Sequence, residues 1–317
     1  MKVTRSMVDA GLRARWLPGR LMARLLATRW FSPLALRLGR KLLAGRDAAG
    51  LDCSEQTLVR DGRPPLRLRI YRPQTPASAP LPVMLYLHGG GYVHGVPEQF
   101  ASVIKAYIDA APCIVVAPDY RKASQAPYPA AFDDSYDTLL WLRDNAAGLG
   151  GRDTAFIVAG HSAGGGPAAA VSLKARDTGQ VQVAFQIPVY PMLDDRGSSA
   201  SMRGNTAPVW DEAANAHAWA QYLHGVEPVD AYAAPARAGD AAGLPPTISL
   251  VGSIDPFADE TRAYIHALEQ AGVPVAFQVF DGAFHAFDGL VPAAPISQQA
   301  QQFLLGHYCQ FLQRYLG

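Results

Sequence analysis

Cysteine is scarce in this chain: three in 317 residues, at Cys53, Cys113 and Cys309, with no Cys-x-x-Cys pair. So small, odd and scattered a set excludes a disulfide framework and points to reduced, buried thiols. That suits a cytoplasmic protein, with an oxidising compartment left open as the alternative. Long apolar runs are missing too. No 18-residue apolar stretch occurs, so no segment is expected to span a bilayer. His94, His217, His224, His266 and His307 are scattered, without the His-Glu-x-x-His spacing of a zinc hydrolase, so no metal or other cofactor is expected. The glycines from Gly160 to Gly166 lack the Gly-Lys-Ser/Thr ending of a phosphate loop, and nucleic-acid motifs are absent. A net charge of +1 supplies no global field toward an acidic partner.

What is present is apolar mass. Hydrophobic residues make up 49% of the chain and charged ones 17%, enough for one large α/β domain, alone or with a lid. The charge is unevenly placed: residues 1–50 carry eleven Lys/Arg and two Asp, a net of +9, and the remainder carries −8. Arg13, Arg15, Arg20, Arg24, Arg29 and Arg37 break up this region, so no apolar centre of a signal peptide forms and the segment reads as mature protein. Leu21, Met22, Leu25 and Leu26 recur at helical spacing behind Pro18, and Ser32-Pro33 reads as the cap and first turn of a second short helix. Three uses compete for these pieces. The first is a lid packed over the body, the second is contact with an anionic membrane surface through residues 1–45, and the third is a targeting sequence.

From residue 55 onward strand and helix signals alternate. Gln56–Arg60 and Leu66–Tyr71 flank Asp61-Gly62, and Leu66, Leu68 and Ile70 alternate with Arg67 and Arg69, which predicts an antiparallel hairpin with one wet face. Val83–Leu87, Ile114–Ala117, Ala155–Ala159, Val183–Val189, Thr247–Val251 and Val275–Phe280 read as strands buried on both faces of a mostly parallel sheet. Helices are expected near 97–110, 130–146, 163–176, 256–271 and 297–315, so the pattern implies an α/β doubly wound sheet of eight strands. Residues 196–240 interrupt the alternation and read as a helical insertion over the sheet. Trp16, Trp30, Trp210 and Trp219 are each expected to pack in a core.

The chemistry centres on Phe156 to Gly166. An apolar strand runs into Gly160-His161-Ser162-Ala163-Gly164 and an Ala-rich helix follows, the strand–turn–helix context of a nucleophile elbow. An ordinary Ser in a glycine-rich connection is the plain alternative, and the flanking elements weigh against it. Ligands of such sheets bind at the carboxyl ends of the strands. There lie His88-Gly89-Gly90-Gly91, whose unobstructed backbone N–H groups suit a developing oxyanion, then Gly252-Ser253-Ile254-Asp255-Pro256, and Phe284-His285-Ala286-Phe287. His88 reads as a loop-orienting residue. Ser162, Asp255 and His285 follow the chain order of the α/β-hydrolase triad. A Ser hydroxyl needs a neutral imidazole to take its proton, and the imidazole needs an acid to fix its tautomer. Asp255 is preferred over Asp194, Asp195 and Asp259 because it directly follows a strand end; it also suits a helix cap before Pro256, and the two roles can coexist.

From about residue 65 to the C-terminus the chain resembles the hormone-sensitive-lipase-like carboxylesterases of the α/β-hydrolase superfamily. The resemblance rests on His88-Gly89-Gly90-Gly91, Gly160-His161-Ser162-Ala163-Gly164-Gly165, Asp255-Pro256-Phe257-Ala258-Asp259-Glu260 and His285-Ala286-Phe287, with Asp119-Tyr120-Arg121, Tyr128-Pro129-Ala130-Ala131 and Tyr190-Pro191-Met192-Leu193-Asp194 in support. It implies oxyanion-hole N–H groups from Gly90, Gly91 and Ala163, with Gly89 as a neighbouring possibility. It also implies a cap, which divides the chain into 1–50 (cap helices), 51–195 (core), 196–240 (cap insertion) and 241–317 (core). A homodimer through Val275–Phe280 and a preference for short- to medium-chain esters over long-chain lipid belong to the same implication. Two departures stand out: His161 replaces the acidic residue or Thr common before the nucleophile, and Lys122-Ala123-Ser124-Gln125 replaces Leu-Ala-Pro-Glu. The expected function is a cofactor-independent serine carboxylesterase. An amidase or deacetylase with the same triad, or a small-molecule receptor without turnover, is the alternative.

Overall fold

The computed structural model describes residues 1–28 and 30–317. Eight strands form one sheet: β1 (Leu51–Arg60), β2 (Arg63–Pro73), β3 (Val83–Leu87), β4 (Ile114–Pro118), β5 (Phe156–His161), β6 (Val183–Val189), β7 (Thr247–Gly252) and β8 (Val275–Phe280). Their order is β1-β2-β4-β3-β5-β6-β7-β8, with β1 and β2 antiparallel to their neighbours and the others parallel. The helices are α1 (Trp16–Leu26), α2 (Phe31–Leu43), α3 (Ala101–Ala110), α4 (Ala130–Asn145), α5 (Gly165–Thr178), α6 (Glu212–Tyr222), α7 (Ala258–Gln270), α8 (Phe287–Leu290) and α9 (Pro295–Leu316).

Alternation along each central strand feeds two cores. Met84 and Tyr86 of β3 pack with Ile104 and Tyr107 of α3 and Leu304 and Tyr308 of α9. Leu85 and Leu87, one residue out of phase, pack with Leu139 and Leu142 of α4 and Ala168 and Val171 of α5. Every residue of β3, β4 and β5 is buried, which explains their uninterrupted apolar sequence. This two-layer cover holds the carboxyl ends of β3, β5, β7 and β8 in fixed relation.

Several sequence expectations differ from the structure. β8 is not buried on both faces: it lies at the sheet edge, pairs with β7, and leaves Gln278 exposed. The wet face of the hairpin is covered only on β2, where Arg67 binds Glu98 at 2.7 Å and Glu55 at 3.0 Å and Arg69, 4% exposed, reaches Asp47; on β1 their partners Thr57 and Glu55 stay exposed as expected. Burial opposes the Glu98 charge, and its bonds from Arg67 and the Gly45 N–H outweigh that, holding its carboxyl below the usual range. Of the three thiols only Cys113 is fully buried. Ser32 does not cap α2 but lies inside it, buried, after Phe31.

The N-terminal segment is tied into the body. Val3, Val8 and Leu12 are buried, and the Asp9 N–H donates to Gly282 O at 3.0 Å. Of the expected stripe helix α1 buries only Leu26, together with Gly19 and Ala23, because the helix approaches Pro208 closely: a Cβ on Gly19 would sit 2.6 Å from Pro208 Cβ. Leu21, Met22 and Leu25 face outward. Within 196–240 the single α-helix is α6, its N-terminus capped by the Asp211 side chain accepting from Ala214 N; the rest is turns and one short 3-10 helix. Trp210 and Trp219 are buried as expected and Trp16 is half-buried, but Trp30 is 74% exposed.

Candidate active site

β5 ends at His161, and the chain turns at once through a short 3-10 segment, Ser162–Gly164, into α5. Ser162 has φ 59°, a strained value for a residue with a side chain. Only glycines allow the turn. A Cβ on Gly160 would lie 2.1 Å from Gly164 O, and one on Gly164 would lie 2.0 Å from Leu87 O. The strain is what projects the Ser162 hydroxyl from the sheet end.

Ser162 Oγ lies 2.7 Å from His285 Nε2, and His285 Nδ1 lies 2.8 Å from Asp255 Oδ2. A carboxylate accepts, so Nδ1 carries the proton and Nε2 presents its lone pair to the hydroxyl. The other Asp255 oxygen, Oδ1, accepts from the Phe257 N–H at 2.9 Å, so the carboxylate both holds the histidine and closes the turn into α7. Asp255 is fully buried and His285 is 3% exposed. The imidazole is walled by Phe257 and Tyr190, ring centroids at 5.1 and 4.9 Å, both edge-on. The other acids lie elsewhere: Asp194 binds Arg196, Asp195 binds Arg237, and Asp259 accepts from the Ser201 N–H.

The glycine loop after β3 lies against the elbow. A Cβ on Gly89 would sit 3.3 Å from Ser162 Cβ, and Gly90 and Gly91 adopt φ of 127° and 60°. His88 anchors the loop from below. Its Nδ1 lies 2.8 Å from Gly89 O, which only accepts, so Nδ1 is protonated and Nε2 faces Lys122 Nζ at 3.2 Å. The ring stacks on Tyr120 at 4.2 Å, and the Tyr120 hydroxyl donates to His88 O at 2.6 Å. Burial, followed by the nearby Lys122 charge, pushes the His88 pKa well down and keeps the ring neutral. Burial also lowers Lys122 to about 8, against the pull of Asp119 at 3.0 Å.

His161 points away from the serine, into the core beneath it. Its Nδ1 pairs with the Tyr86 hydroxyl at 2.9 Å, and burial, then the nearby His285, lowers its pKa to about 3. Tyr190 stands between the two histidines, edge-on to both, and its hydroxyl donates to buried Asp288 at 3.0 Å. Trp210 covers the opposite side: a Cβ on Gly91 would meet its ring at 2.4 Å, and its centroid is 6.2 Å from that of His285. Sequence reasoning missed Lys122, Tyr190, Trp210 and Asp288 as members of this neighbourhood. The Lys122 departure from the family segment and the family-like segment at Tyr190-Pro191 were the signals that pointed at two of them.

A mostly parallel eight-stranded sheet with a positive-φ serine at a strand-to-helix turn is the architecture of the α/β-hydrolases. A family model described as the alpha/beta hydrolase fold matches residues 84–289. Esterase LipI of Mycobacterium tuberculosis is 35% identical over 241 residues, covering 74% of this chain and 75% of that protein. The ethyl acetate hydrolase of Pseudomonas putida is 33% identical over 256 residues, covering 78% and 79%. Among solved structures, a bacterial heroin esterase superposes with a TM-score of 0.86 at 32% identity, covering 98% of this chain and 99% of its own. The chain belongs to the α/β-hydrolase-fold family and, within it, to the hormone-sensitive-lipase-like carboxylesterases.

Proposed function

We propose that this carboxylesterase hydrolyses short- to medium-chain esters through an acyl-enzyme on Ser162. The observation that carries the reading is the continuous hydrogen-bonded line Ser162 Oγ, His285, Asp255 beside the glycine loop. Ser162 Oγ attacks the ester carbonyl as His285 Nε2 takes its proton, and Asp255 steadies the imidazolium without being protonated. The N–H groups of Gly90, Gly91 and Ala163 receive the negative charge on the carbonyl oxygen. Collapse expels the alcohol, which leaves with the proton from His285. Water, deprotonated by the same ring, then releases the acid and frees Ser162.

Residues 1–50 and 196–240 act as a cap over a core of 51–195 and 241–317. Leu26, Trp210, Trp219 and Tyr222 share one buried cluster with Ala163, and the Tyr92 ring stacks on Tyr222 at 3.8 Å. Such dense aromatic packing beside the serine favours small acyl groups. We further propose a cytoplasmic location, supported by three unpaired cysteines, and a homodimer through the open edge of β8.

Rapid-mixing kinetics with p-nitrophenyl acetate test the covalent step. The expected result is a stoichiometric burst of p-nitrophenol with acetate attached to Ser162 by mass spectrometry. Faster hydrolysis of p-nitroacetanilide than of the ester would replace this reading with the amidase.

A further inference from the structure

The outward face of the α1–α2 hairpin is built for something other than water. Leu17, Leu21 and Leu25 stand at intervals of four along α1, and Leu34, Leu38 and Leu42 do the same along α2, each between 38% and 68% exposed. A helix in water normally turns such a stripe inward. Here the inward face is already taken by Gly19, Ala23 and Leu26 on α1 and by Ser32 and Leu36 on α2. Eight of the eleven exposed large hydrophobic side chains among the described residues fall between Leu17 and Leu42, so the patch is concentrated and not part of a generally greasy surface.

A second stripe runs beside each of these. Arg20 and Arg24 precede Leu21 and Leu25, and Arg37 and Lys41 precede Leu38 and Leu42, so basic heads flank the leucines on both helices. No Asp or Glu occurs between Asp9 and Asp47. Two shallow grooves open on this face, of about 500 Å³ between Trp16, Leu21 and Arg24 and about 530 Å³ between Trp30, Leu34 and Arg37. Apolar side chains rimmed by Arg, with tryptophans at hand, match the boundary between acyl chains and anionic headgroups.

We infer that the α1–α2 face docks on an anionic phospholipid bilayer. The leucines insert at the level of the acyl chains, and Arg20, Arg24, Arg37 and Lys41 contact lipid phosphates. Charge selects the partner: a basic surface without acidic residues repels a second copy of itself and attracts an anionic leaflet. Leu26, at the end of α1, packs in the cluster that contains Ala163. Docking therefore brings the cap beside the serine to the membrane surface, where esters dissolved in the bilayer are concentrated.

Sedimentation of the full chain with extruded vesicles tests this, using phosphatidylcholine alone and phosphatidylcholine mixed with phosphatidylglycerol. Binding is expected to the phosphatidylglycerol vesicles alone and to be lost at high salt. The double variant Arg24→Gln/Arg37→Gln is expected to lower the partition coefficient roughly 25-fold, about five-fold for each basic residue. Leu21→Gln/Leu38→Gln is expected to lower it by about ten-fold or more. Both variants keep the wild-type turnover of p-nitrophenyl acetate in solution, which separates failed docking from failed catalysis. No binding at low salt, or equal binding to both vesicle types, overturns the inference. So does a concentration-dependent dimer abolished by the leucine substitutions, which would assign the face to a second copy.

Discussion

Gly90, His161 and His88 are each fixed by close packing around them. Gly90 sits at φ 127°, and a Cβ there would meet His94 O, a backbone atom, at 2.1 Å. Gly90→Ala therefore has to move the loop that presents the proposed oxyanion donors, and kcat should fall roughly 100- to 1,000-fold, the usual loss for one such donor; steady-state kinetics on p-nitrophenyl acetate check it. His161 illustrates a different constraint. Its pKa is lowered to about 3 by burial, whereas the unfolded chain protonates it near 6.5. Between those values the unfolded state binds the extra proton, so stability falls as pH falls, by up to about 1.4 kcal/mol per pH unit for this one group. His88, also held neutral by burial, works in the same direction. Urea denaturation from pH 7 to pH 3 should show that slope, and His161→Gln should flatten it by as much as one proton. Ser162, Asp255 and His285 were legible because each chemistry needs a residue type in a fixed chain order, and the structure places them within hydrogen-bonding distance of one another. Lys122, Tyr190 and Asp288 were not legible as neighbours of the site. Their positions depend on side chains from two loops and helix α8 converging, which no local spacing encodes.

Among the elements, the central strands announced themselves and the N-terminal helices misled. β3 and β6 begin and end where the apolar runs do, because a strand in a covered sheet has no wet face to blur its limits. Helix α1 carries a clear amphipathic pattern, yet Leu21, Met22 and Leu25 face out: the loop at Pro208 approaches so closely that only a glycine fits at position 19. Helical periodicity gives the stripe but not the side that is buried. Gly19→Val should lift α1 away from Pro208 and with it Leu26, and is expected to raise KM for p-nitrophenyl butyrate several-fold with a smaller change in kcat. Trp210 of the insertion packs over Gly91 and stands 6.2 Å from His285, so the proposed preference for small acyl groups should depend on it. Trp210→Leu should raise kcat/KM for p-nitrophenyl octanoate relative to acetate by roughly ten-fold, within the range of one or two methylene groups of pocket. An unchanged ratio would place the acyl group elsewhere.

For the molecule as a whole, fold class followed from the alternation of strands and helices, and the insertion after β6 stood out as the place where that alternation stops. Edges were less legible. A strand at a sheet margin and one at its centre share the same apolar run, so the exposure of Gln278 in β8 emerges only from the strand order. The proposed dimer through β8 is tested by light scattering of wild type and Val279→Pro, since proline removes an N–H from the open edge; a monomer at all concentrations would discard it. The uneven charge, +9 in residues 1–50 and −8 beyond, becomes intelligible once the basic stripe of α1 and α2 is seen to face away from the body.

In the proposed reaction Ser162 is the nucleophile of an esterase with a small acyl pocket. Hydrolysis of p-nitrophenyl esters from acetate to laurate by wild type and Ser162→Ala tests it most directly. A maximum at acetate or butyrate and a loss of at least about 10,000-fold in kcat on substitution are expected. A maximum at laurate, or turnover that survives in Ser162→Ala, would contradict it.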